Sequence, residues 1–107
     1  MTTRREKIEA MLQDEPNDLF LRYSLAMELC SEGDISQGIK HFRELANNTP
    51  AHVPSCFMAA QRLVDQDDLA SARDLLRKGI DAAREQGDRH AAAEMSEYLA
   101  NLGDLGE

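Results

Sequence analysis

The chain has 107 residues, 42% of them hydrophobic and 30% charged, with 20 acidic side chains against 12 basic ones and a formal net charge of −8. That is one domain of sequence with a single modest core, too apolar for a disordered acidic chain and too short for a deep multidomain active site. Beyond the short basic group Arg4, Arg5 and Lys7 there is no Lys/Arg cluster, which excludes a nucleic-acid binder, because phosphate binding needs a basic face to displace counterions.

Apolar residues recur at helical spacing in six successive segments and alternate convincingly in none, so the predicted class is all-α. The first segment, residues 4–13, offers Ile8, Met11 and Leu12 behind a Thr3-x-x-Glu6 capping box, whose two side chains satisfy each other's orphan backbone donors. Pro16 ends it, and Asn17 or Asp18 caps the next. The second segment is apolar on two sides, with Leu21, Leu25, Ala26 and Leu29 on one face and Phe20, Tyr23, Met27 and Cys30 on another.

Gly33 breaks that helix, and Asp34 caps a third whose stripe is Ile35, Ile39, Phe42 and Leu45 or Ala46, closed by Pro50. The fourth, residues 52–65, carries Pro54 in its first turn, where a missing N–H costs little, and stripes Phe57, Ala60, Leu63 and Val64. Asp68 caps the fifth, which runs through Leu69, Ala72, Leu76, Ile80 and Ala83 to Gly87. The sixth, residues 88–101, offers Ala92, Met95, Leu99 and Leu102, and the tail after it is expected to fray.

Residues 19–52 align with residues 53–86 at a constant offset of 34: Ala26 falls on Ala60, Leu29 on Leu63, Asp34 on Asp68 and Arg43 on Arg77. Tyr23 pairs by type with Phe57, Gly38 with Ala72 and Phe42 with Leu76. Each unit is a pair of antiparallel helices that cannot cover its own apolar faces, so neighbours must stack to complete one core. The small residues Ala26, Ala60, Gly38 and Ala72 mark where helices cross closely, and a bulky replacement there costs about 1 to 3 kcal/mol.

The sequence Leu25-Ala26-x-x-Leu29, Gly33-Asp34, Gly38, Phe42 and Pro50, repeated as Ala59-Ala60-x-x-Leu63, Asp67-Asp68, Ala72 and Leu76, resembles the tetratricopeptide repeat (TPR) family, in particular its small bacterial-type members. The resemblance implies a short right-handed superhelical α-solenoid of about six helices in a single domain, residues 1–107. Residues 4–16 would be a half-repeat helix, 19–52 and 53–86 two full units, and 88–102 a capping helix. The chain departs from the pattern where Arg22 and Cys56 replace a large Trp or Leu, Leu45 and Gly79 replace a small Ala, and Arg84 replaces a closing Pro. The third unit also needs a two-residue insertion before Arg89.

Chemistry-bearing motifs are missing. His41, His52 and His90 lie in three segments without metal-ligand spacing, and there is no phosphate loop, Gly-x-Ser-x-Gly elbow or His-Glu-x-x-His helix, so neither an enzyme nor a cofactor or metal is expected. Acidic pairs such as Asp14-Glu15 and Asp67-Asp68 fall at turns, where they cap helices. Cys30 and Cys56 read as small buried apolar residues. No stretch approaches the roughly 18 apolar residues of a membrane span, and residues 1–10 are charged, which points to a cytoplasmic protein without membrane attachment.

In the resembled family the first helices of successive units line a concave groove that takes peptides or partner helices. Carried onto this sequence, the partner-binding wall is Phe20, Tyr23 and Met27, then Phe57, Gln61 and Val64, then Ala93 and Glu97. The Lys, Asn and Arg clamp by which some relatives hold chaperone carboxylates is missing, and Asp65, Glu94 and Glu97 make the far end acidic. The expected role is a protein-interaction adaptor or scaffold for an apolar peptide or partner helix with a basic flank. The alternative is a self-associating structural repeat, with the wall buried in a homodimer or beneath Ile8, Met11 and Leu12 of the first helix.

Overall fold

The computed structural model describes residues 3–106, and for residues 104–106 the backbone alone. Six α-helices follow in order: α1 (Arg4–Asp14), α2 (Leu19–Ser31), α3 (Ile35–Ala46), α4 (Val53–Asp65), α5 (Leu69–Glu85) and α6 (Arg89–Gly106). The chain is an all-α helical repeat in which each helix packs chiefly on the next one in sequence, giving a slab of 46 × 30 × 18 Å.

The helix starts follow from local chemistry. The Glu6 amide donates to Thr3 Oγ1 at 3.1 Å and the Thr3 amide to Glu6 Oε1 at 3.3 Å, which completes the capping box. Asp18 accepts from the Leu21 amide at 2.9 Å, so it, and not Asn17, caps α2. Asp34 and Asp68 do the same for α3 and α5 through the amides of Gln37 and Ser71. The residues before them, Gly33 at φ +91° and Asp67 at φ +66°, make the same left-handed turn in the two units, once with glycine and once with a short polar side chain that tolerates that region.

The core runs through the middle of the stack: Phe42, Leu45, Cys56, Ala60, Leu76 and Met95 are all closed to solvent. A Cβ on Gly38 would collide with Cys30 Sγ and stand 3.0 Å from the Ala26 carbonyl oxygen, which shows how closely α2 and α3 cross. Gly79 stands where the resembled repeat has a small Ala. A Cβ there would lie 2.7 Å from Met95 Sδ and 2.8 Å from Cys56 Cβ, so the room left by the glycine is taken by a methionine from the next unit.

α6 begins at Arg89, where a strict 34-residue spacing from Val53 puts residue 87. The extra length sits in α5, with 17 residues against 12 in α3, and Gly87 at φ +78° makes the short turn that follows. The tail from Gly103 is drawn into α6. The helix continues to Gly106, because Leu102 is buried and its carbonyl accepts from Arg73 Nη2 at 3.1 Å, tying that turn to α5; Glu107 lies outside the described residues.

Candidate partner-binding face

The predicted wall lies on α2, α4 and α6, and its members do not share one environment. Phe20 is 74% exposed and Met27 38% exposed on α2, and Ala93 and Glu97 are exposed on α6. Tyr23, Phe57, Gln61 and Val64 are half-buried. The Tyr23 ring tilts against Phe42 and His52 at 5.6 and 5.3 Å, and Phe57 meets Tyr98 edge-on at 5.4 Å, so both aromatics give part of their area to the core. Burial pushes both tyrosine hydroxyls above their ordinary range, Tyr98 with a smaller push from Asp65 and an opposing pull from Arg62. α1 does not cover Phe20.

Between α2 and α4 a depression of about 110 Å³ is lined by Met27, Cys30, Ser31, Phe42, Met58 and Arg62. Met58, Arg62 and Tyr98 were not singled out from the sequence. The signal was there in the i, i+4 pair Met58 and Arg62 beside the chosen Phe57 and Gln61, and in Met95, Tyr98 and Leu102 at helical spacing. Arg62 Nε stands 3.9 Å from an Asp65 carboxylate oxygen and has no hydrogen-bond acceptor of its own. Its positive charge pulls the Cys30 thiol and the Tyr98 hydroxyl downward, although burial dominates and holds both above the usual range.

Two further concavities lie at the ends of the stack. One, of about 260 Å³, runs between α1 and α2 beside Ile8, Met11, Phe20 and Leu21, with Arg4 and Lys7 at its edge. The other, of about 470 Å³, runs between α5 and α6 and is lined by Ile80, Ser96, Leu99 and Ala100 with Arg77, Asp81 and Arg84. Phe20 belongs to the first of these as well as to a depression shared with Tyr23 and Met27.

His52 precedes α4 and sits 2.7 Å from Ser55 Oγ through Nδ1, while Ser55 is fully buried and out of reach of a substrate. Burial and the nearby Arg22 hold the imidazole below its ordinary pKa, and a helix N-terminus disfavours added positive charge in the same sense. The unfolded chain then binds a proton that the folded chain refuses. Stability is full above the unfolded value of about 6.5 and falls as the pH drops below it. The urea midpoint is expected to decrease between about pH 7.5 and 5.5, and His52→Gln to flatten that decrease; an unchanged slope would remove His52 as its source.

Among the described residues no group of three or more His, Cys, Asp or Glu is placed to hold a metal ion, and no helix is long and apolar enough to cross a membrane. No family model matches the chain. A TPR repeat-containing protein of Pseudomonas aeruginosa is 26% identical over 97 residues, which cover 91% of this chain and 92% of that protein. The solution structure of a protein from Bordetella parapertussis superposes with a TM-score of 0.79 at 25% identity, covering 97% of this chain and 90% of that one.

Proposed function

We propose that this chain, a TPR-like helical-repeat protein, is a non-catalytic interaction module that holds an apolar peptide or partner helix on the face made by α2, α4 and α6. The observation that carries the reading is Met27. It is a flexible apolar side chain left exposed on that face, at the mouth of a depression floored by Phe42 and flanked by Met58. Methionines with an aromatic floor suit adaptable apolar recognition, since they offer polarizable contact area without fixing one shape. The exposed acids Asp65 and Glu97 favour a basic flank on the ligand, while Arg62 beside Asp65 limits how far that preference extends along α4.

Selection from a displayed library of random peptides tests this directly. Binders are expected to combine apolar residues with Lys or Arg, and Met27→Asp to weaken them at least about tenfold. Met27 is partly exposed, so the variant loses only some covered area and helix propensity, and its melting temperature should fall by no more than about 8 °C, leaving it folded at the assay temperature. Peptides that bind Met27→Asp and the parent equally would place the ligand elsewhere. Tyr23→Ala is a poorer probe, because its ring also supports Phe42.

A further inference from the structure

Sulfur gathers on the depression between α2 and α4. Of the two cysteines, Cys56 is closed in the core, while the half-buried Cys30 lines this depression together with Met27 and Met58. Met27 and Cys30 stand three residues apart on α2, which puts them on adjacent turns of one helix face, with about 5 to 6 Å between their Cβ atoms. Met58 approaches from α4, and Phe42 of α3 forms the floor. The depression measures about 110 Å³, so its three sulfur-bearing residues share one small space.

One of the three donors is fixed and two are adaptable. Cys30 Sγ rests against α3, because a Cβ on Gly38 would collide with it and the glycine leaves the room it occupies. The thioethers sit on unbranched chains with three rotatable bonds and can turn toward the thiol. The remaining lining residues are Ser31 and Arg62, so no carboxylate or imidazole of the described residues lines the depression. Calcium and magnesium, which need oxygen ligands, find no set there, and zinc lacks the four donors of a closed site. One thiolate and two thioethers are the donors that select Cu(I), a soft monovalent ion.

We propose that Met27, Cys30 and Met58 form a binding site for one Cu(I) ion. The ion displaces the thiol proton, which passes to water; the S–H electron pair stays on sulfur and forms the Cu–S bond, and no oxidation state changes. The product is neutral, one thiolate balancing one positive charge, and a partly buried place tolerates it where a leftover charge would be costly. Arg62 enforces the same limit, since its guanidinium repels a divalent ion that the single thiolate cannot neutralise. Burial holds the free thiol protonated, with Arg62 opposing that effect and Asp34 adding to it, so the metal must compete with the proton for Cys30.

This inference stands apart from peptide binding at Met27, because Met27→Leu keeps an apolar side chain for a peptide and removes only the sulfur donor. Anaerobic titration of the reduced full chain with Cu(I), in competition with the chromogenic chelator bicinchoninate, tests it. One ion per chain is expected, with a thiolate-to-copper absorption band in the ultraviolet. Cys30→Ser should abolish the band and weaken binding about a hundredfold or more, and Met27→Leu and Met58→Leu should each weaken it about tenfold. Cys56→Ala, which removes a thiol closed in the core, should leave band and affinity unchanged. The leucine substitutions conserve volume, and melting curves without copper will confirm that every variant is folded. A parent that yields all its copper to the chelator would overturn the proposal. So would equal affinity in the parent and both leucine variants, which would mean a thiol acting alone, and so would one ion per two chains, which would mean a thiolate bridge between copies.

Discussion

Phe42→Ala is expected to lower the unfolding free energy by about 3 to 5 kcal/mol, the range for truncating a fully enclosed aromatic side chain. Phe42 has no exposed surface, it lies on the central helix α3, and it carries the Tyr23 ring at 5.6 Å. Its removal leaves a void and deprives Tyr23 of its partner. For a chain of this length total stability is about 5 to 15 kcal/mol, so the variant will be marginal or partly unfolded at 37 °C. Urea denaturation followed by circular dichroism measures the loss directly. A change below about 1.5 kcal/mol would mean that α3 does not form the centre of the core.

Gly79→Leu is expected to cost about 3 kcal/mol, at the upper end for overpacking. The steric argument is specific: a Cβ alone would come to 2.7 Å from Met95 Sδ and 2.8 Å from Cys56 Cβ. The thioether can swing away, but Cys56 Cβ is fixed to the α4 backbone. Gly79→Ala is milder, because a gain in helix propensity of about 1 kcal/mol partly offsets the collision. Pairing Gly79→Ala with Met95→Ala should recover part of the loss, and that coupling is measurable in a double-mutant cycle. Strict additivity would separate the two residues energetically and refute the packing account.

Much of this architecture was legible in the sequence because it is written in local chemistry. Asp34 and Asp68 announce helix starts at a 34-residue interval, and their caps form as the spacing implies. The stripe of Phe42, Leu45 and Ala46 is enclosed as its periodicity predicts. The end of α6 was harder to read, since Gly103 and Gly106 suggest fraying while a bond from Arg73, distant in sequence, holds the preceding turn. Arg62 and Tyr98 escaped notice for a related reason. Residues next to a chosen stripe can share its groove when the helices twist past one another, and sequence spacing carries no record of that angle.

The chain of neighbour-to-neighbour packing has a consequence for how the protein is made. Its substantial interfaces join α1 to α2, α2 to α3, and so on to α5 and α6, and none joins the first helix to the last. Loop closure in such a topology brings together only segments close in sequence, the condition for rapid folding. A nascent chain leaving the ribosome can therefore dock each helix as it emerges, with Phe42 able to meet Tyr23 before α5 and α6 have been synthesised.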